Sequence, residues 1–209
     1  MRDKSYSNTK NRLSSLSSWA LILGIFALAT FSTARSETAE YVIDPEHLSI
    51  GFLVEHIGYS KTLGMFRKAN GAYTFNEKTG ELSAVRIVVE TASVFTNHKK
   101  RDDHLRKADF LNSAEYPQMV FSANSARRTG ERSFVVDGEL ELLGKSQPVS
   151  LNATWNKSAT YPLGDKPYVM GVSARGSFRR SAFGMNYAVD NGWVGDEVEL
   201  IIEFEARRQ

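Results

Sequence analysis

An all-β fold is predicted for this chain: a closed antiparallel barrel of about eight strands with one short charged helix. Three observations predict it. Apolar and polar residues alternate with period two through most of the sequence from Glu40 onward, the pattern of strands with one buried and one wet face. Short, polar, glycine-containing segments separate the alternating runs. Only one segment carries helical spacing instead.

The elements follow in order. Asp44-Pro45-Glu46-His47 reads as a turn capped by the Asp44 carboxylate, and Leu48, Ile50, Phe52, Val54 and His56 then share one face of a strand. Ser83, Val85, Ile87, Val89 and Thr91 form the next face, opposed by Leu82, Ala84, Arg86, Val88 and Glu90. Phe134, Val136, Gly138, Leu140 and Leu142 oppose Asp137, Glu139 and Glu141; Val149, Leu151, Ala153 and Trp155 follow. Met170, Val172, Ala174, Gly176 and Phe178 precede the clearest strand, in which Val198, Leu200, Ile202, Phe204 and Ala206 face Glu197, Glu199, Glu203 and Glu205. Turns are predicted at 76–80, 128–131 and 144–147, each containing glycine. A meander of this size with one apolar face must close, because open edges aggregate and the apolar face needs cover. Gly138, Gly171 and Gly176 suit sharp bends or close backbone approach in such a barrel.

The exception is 96–111 (TNHKKRDDHLRKADFL), where Leu105, Ala108 and Leu111 fall at helical spacing. Asn97 is the predicted N-cap, and Asn112-Ser113 before Pro117 ends the helix. Two readings stand for it: a solvated connecting helix whose apolar stripe covers one barrel opening, or a positive rim of His98, Lys99, Lys100, Arg101, His104 and Arg106 facing an anionic head group.

Residues 1–36 read as a cleavable secretory leader and 37–209 as one domain. Arg2, Lys4, Lys10 and Arg12 precede the apolar run WALILGIFALATF, and Ser32-Thr33-Ala34 offers a small-x-small cleavage site. The run falls short of the ~20 residues of a membrane-spanning helix, so no stable span is expected after cleavage. Removing the leader takes away five of 26 basic and one of 24 acidic side chains, leaving 21 against 23, a net of −2. The sequence pI of 8.8 therefore belongs to the leader, and a nucleic-acid partner loses its support.

Other chemistries lack their signatures. There is no cysteine, which excludes disulfides, thiolate nucleophiles and cysteine-based zinc sites. His47, His56, His98 and His104 are too scattered for close-spaced metal motifs, so no metal is expected. Neither a G-x-S-x-G elbow nor a G-x-G-x-x-G or P-loop occurs.

The ordered motifs carry a resemblance. Asp44-Pro45-Glu46-His47 leads into Ile50-x-Phe52-x-Val54-x-His56 and Gly64-x-Phe66; Arg101-Asp102-x-His104-Leu105, Asp109-Phe110 and Tyr116-Pro117 follow. Gly138-x-Leu140-x-Leu142-x-Gly144, Pro148-Val149, Arg180-Ser181-x-Phe183-Gly184-Met185 and Asp196-x-Val198 complete the set. From Ala39 to Ala206 the chain resembles the YceI family of polyisoprenoid-binding proteins.

The resemblance implies a lipocalin-like barrel, a bacterial periplasmic or secreted protein, often a homodimer, and a lumen holding a long apolar lipid of the isoprenoid quinone or polyprenyl phosphate type, with no other cofactor. It acts as carrier or sequestering protein under this reading. Lumen contacts are then expected from Ile50, Phe52, Val54, Phe66, Val85, Ile87, Phe121, Val136, Leu140, Trp155, Phe178, Leu200 and Ile202, with His56, Arg101, His104 and Arg106 at a head-group rim. The aromatics can line a channel without filling it, whereas the aliphatics serve equally well as plain core. Two alternatives stand beside this: an enzyme using Asp44, His47 or His104 as acid or base, and a filled barrel acting through its surface.

Overall fold

The computed structural model describes residues 38–209; the predicted leader lies outside the described residues. One antiparallel sheet contains β1 (Ala39–His56), β2 (Ser60–Phe66), β3 (Ala69–Phe75), β4 (Leu82–Glu90), β5 (Val94–Phe95), β6 (Gln118–Ala123), β7 (Arg127–Arg128), β8 (Ser133–Leu142), β9 (Lys145–Thr160), β10 (Tyr168–Arg179) and β11 (Val194–Arg208). Several are halves of longer strands. β3 lies along the first part of β1 and β2 along its last part. β4 and β5 run beside β3 and β2, while β6 and β7 both lie on β8. Counting these halves together leaves eight barrel strands in chain order, and β11 pairs back onto β1. The predicted closed meander is what the chain forms.

Period-two alternation decides which face is inside. Val85, Ile87 and Val89, then Val136, Leu140 and Leu142, then Val198, Ile202 and Ala206 are buried. Asp137, Glu139 and Glu141 face solvent between them. The chain crosses the barrel repeatedly, so the two ends collect different residues. One end, called deep below, holds residues 76–81 and 161–167; the other, the mouth, holds 57–59, the helix segment and 180–193.

Aromatic rings and a carboxylate fill the deep end. Tyr41 stacks on Tyr73 at 5.3 Å between centroids, and Phe75 meets Phe134 and Trp155 edge-on at 5.7 and 5.9 Å. Glu77 accepts from Tyr41 Oη at 2.5 Å and from Tyr168 Oη at 3.1 Å. Burial and the bond to Glu77 raise the Tyr41 phenol above its ordinary range, so it stays a neutral donor.

Four expectations shift. The helix α1 spans only Lys99–Leu105. Asn97 lies in the left-handed region at φ 60°, and the cap is His98, whose Nδ1 accepts from Arg101 N at 3.2 Å. Beyond Leu105 the backbone wraps round that residue's carbonyl, which accepts from Leu111 N, leaving Ala108 exposed. Asp44–His47 is not a lead-in but a bulge inside β1, between Ile43 and Leu48; its Asp44 cap is as expected, with Glu46 N donating to Oδ1 at 3.0 Å. The β8–β9 reversal uses Leu143 and Gly144, at φ 52° and 68°, so Lys145–Gln147 belong to β9.

Ile57 and Gly58 are the central residues of the turn in the three-residue connection between β1 and β2, at φ 53° and 71°, closed by Tyr59 N donating to the His56 carbonyl at 3.1 Å. Such primed turns match the twist of a hairpin and favour asparagine and glycine. A β-branched residue there costs about 1–2 kcal/mol. Gly138 answers to a different constraint: a Cβ at that position would lie 2.5 Å from Phe121 Cζ and 2.5 Å from the Ser122 carbonyl oxygen. Gly138→Ala is therefore expected to lower stability by about 1–3 kcal/mol through overpacking, read from the urea midpoint at unchanged slope.

Candidate functional site

The barrel interior is not filled evenly. In the mouth half a cavity of about 370 Å³ lies among Ile50, Phe52, Val54, Phe66, Ile87, Val89, Val94, Met119, Phe121, Leu140, Leu142, Val149, Leu151, Phe178, Val198, Leu200 and Ile202. That volume is within the range of small-molecule sites, and its walls are hydrocarbon. Glycines set the positions of two rings in them. Phe52 lies across Gly64 of the paired strand, where a Cβ would come within 2.2 Å of the ring. Phe121 lies over Gly138 in the same way. Each ring thus rests on backbone.

A second, smaller cavity of about 90 Å³ lies deeper, among Tyr73, Phe75, Val85, Phe134, Val136, Trp155, Met170 and Phe204. Ile87, Phe121 and Leu151 border both spaces. Here the expected grouping divides: Val85, Val136 and Trp155 line the deep cavity, not the large one. Trp155 Nε1 is buried with no hydrogen-bond partner. The other ten expected lumen residues all border the large cavity.

Polar groups gather where the large cavity reaches the mouth. Glu55, His56, Thr62, Arg101, His104 and Arg180 border it there. Arg101 Nε donates to Thr96 Oγ1 and its Nη2 to the Thr96 carbonyl, both at 2.7 Å. His104 Nε2 sits 2.9 Å from Asp109 Oδ2. The His104 ring stands edge-on to Phe110 and Tyr187, at 5.0 and 5.1 Å. Arg106, expected in this rim, is not part of it. Its guanidinium donates to the Ala92 and Val94 carbonyls at 2.8 and 2.9 Å, tying the helix to β5. Asp44 and His47 are also remote from the lumen: His47 Nδ1 is 3.2 Å from Asp44 Oδ2, which Arg207 also reaches at 3.2 Å. Among the described residues no cluster of three His, Cys, Asp or Glu side chains suits a metal ion.

Arg180 is the residue that alternation could not find. It is only 2% exposed and borders the large cavity. Nε donates to the Gly195 carbonyl at 2.7 Å, Nη1 to Met185 at 2.9 Å, and Nη2 to Tyr187 and Val194 at 2.9 and 2.8 Å. These bonds pin the 184–193 loop to the start of β11. Its charge centre also lies 5.9 Å from the Phe110 ring centroid. Burial pulls the guanidinium below its ordinary pKa, opposed by the Asp196 charge, and Asp196 is itself held by Ser181 N and Oγ at 2.9 Å. The signal was present as Arg180-Ser181 in the ordered motifs, but only the fold reveals its targets. Tyr187, Phe110 and Trp193 also border the mouth; they sit in loops, where no periodicity marks them.

Known proteins resemble this chain throughout the barrel. The YceI-like domain model matches residues 41–206. Protein YceI of Escherichia coli O157:H7 is 38% identical over 191 residues, covering 90% of this chain and 97% of that protein. Among solved structures, the Campylobacter jejuni YceI protein superposes with a TM-score of 0.67 at 26% identity, over 74% of this chain and 90% of its own. A polyisoprenoid-binding domain from Saccharophagus degradans reaches 0.57 at 12% identity, over 83% and 100%, a likeness of fold.

Arg180→Met removes four donors from buried carbonyls and is expected to cost about 3 kcal/mol or more in urea unfolding.

Proposed function

Because the chain belongs to the YceI-like domain family, we propose that its barrel binds a long, slender apolar lipid of the isoprenoid type and carries or sequesters it. The observation that carries this reading is the large hydrocarbon-walled cavity, which opens at the mouth and ends at Ile87, Phe121 and Leu151, the wall it shares with the small deep cavity. A hydrocarbon tail gains about 0.8 kcal/mol per methylene on leaving water, so each five-carbon unit contributes roughly 3–4 kcal/mol. No polar recognition along the tail is required. The description of the Saccharophagus degradans domain as polyisoprenoid-binding agrees with this reading.

Orientation follows from the asymmetry of the lumen. The tail points toward Phe121, where the wall between the two cavities stands, and the head group stays among His56, Arg101 and His104. Arg101 still has Nη1 to offer a phosphate or carbonyl oxygen, because its bonds to Thr96 use Nε and Nη2. The secretory pattern read in residues 1–36 supports export to the periplasm or beyond, where an apolar lipid needs a protein to cross water.

Organic-solvent extraction of the protein purified from its native host, followed by mass spectrometry, tests the binding. A stoichiometric long-chain lipid is expected; an empty extract overturns the reading, and turnover of an added lipid would replace it with an enzyme. Leu140→Trp, which puts an indole into the large cavity, is expected to leave the fold standing and reduce retained lipid about tenfold or more. Phe121→Ala joins the two cavities and is expected to shift the retained lipid toward longer tails, read from the same extracts.

A further inference from the structure

We propose that the mouth of the barrel docks on a lipid bilayer through an apolar lip built from Ile57, Tyr59, Tyr187 and Trp193. Tyr59 is 90% exposed, Trp193 59%, and Ile57 and Tyr187 46% each. They come from two separate segments, the β1–β2 turn and the loop ahead of β11, and Ile57 N donates to the Trp193 carbonyl at 3.0 Å. The two tips therefore form one surface. Leu63, 63% exposed, extends it down the outer face of β2.

Tyr187 packs one side of its ring on His104 and Phe110, but barrel closure does not require Ile57, Tyr59 or Trp193 to be apolar at these exposed positions. Ile57 occupies a left-handed position at φ 53° where asparagine or glycine would be the stable choice. A β-branched apolar residue is thus exposed at a site where it strains the turn. Tryptophan and tyrosine are the residues that settle at membrane–water interfaces, with an apolar ring and a polar handle. An exposed apolar cluster of this kind marks an interaction surface.

Continuity with the lumen identifies the partner. Ile57, Tyr187 and Trp193 border the large cavity as well as solvent, so one apolar surface runs from the outside into the barrel. A protein covering this lip would close the route to the cavity. A bilayer covers it and also supplies or accepts an apolar chain, which then passes from one hydrocarbon environment to the other without crossing water. This inference rests on the lipid-binding reading above, and its test is separate from the extraction that tests that reading.

The full chain, carrying Trp19→Phe and Trp155→Phe so that Trp193 is the sole indole, is mixed with phosphatidylethanolamine–phosphatidylglycerol vesicles whose acyl chains are brominated. Trp193 emission is expected to shift to the blue and fall by about half, and to do so at high salt as well, since the contact is apolar. Adding Ile57→Asn and Tyr59→Ser is expected to abolish most of the quenching without lowering the melting temperature, because asparagine suits the turn. Unquenched Trp193, or quenching that the two lip substitutions leave intact, overturns the proposal. Bound lipid in the extracts with Trp193 unquenched overturns the docking surface alone. Quenching with empty extracts supports the surface and tells against the carrier reading.

Discussion

The pairing of β11 with β1 is the interaction on which the rest of the structure depends. Eight strands with an apolar inner face form a sheet that no other layer covers, and backbone hydrogen bonds from the last strand to the first supply the closure. Closure removes the open edges and gives every inward side chain a partner across the lumen. It also fixes the diameter, so the side chains can only decide how much of the interior is left empty.

That decision differs along the barrel axis. At the deep end Tyr41, Tyr73, Phe75 and Phe134 stack or meet edge-on, and Glu77 ties two phenols together. Toward the mouth the inward residues are mostly aliphatic, and two of the rings rest on glycines of adjacent strands. Rings lying against backbone leave the space at the axis free. Arg180 and Arg106, through backbone carbonyls, hold the loop and the helix that frame this opening. Both are structural cations, Arg180 bordering the lumen and Arg106 outside it, which is why positive charge near the mouth divides into groups already engaged and groups such as Arg101 with a donor to spare.

Much of the barrel was legible because strand alternation is a local property. Ile50, Phe52, Ile87, Leu140 and Ile202 were placed inside from spacing alone, and they are buried there. Irregular segments were less legible. The helical spacing of Leu105, Ala108 and Leu111 predicts a longer helix than forms, because the chain turns back at Leu105 through a hydrogen bond that spacing does not encode. The Asp44–His47 turn was seen, but not that β1 continues through it as a bulge. Arg106 was grouped with Arg101 by charge, whereas its direction depends on carbonyls of β5 and its approach.

By itself, the sequence determined the fold class, the inward faces of the strands and the family resemblance, because these follow from periodicity and from an ordered set of motifs. Tertiary structure alone decided that Val85, Val136 and Trp155 border a separate deep space, and that Arg180 is spent on a loop. It also decided that Ile57, Tyr187 and Trp193 meet at one lip. The physical reason is distance along the chain: strand faces are set by neighbours two residues apart, whereas cavities and lips are set by strands and loops that only barrel closure brings together.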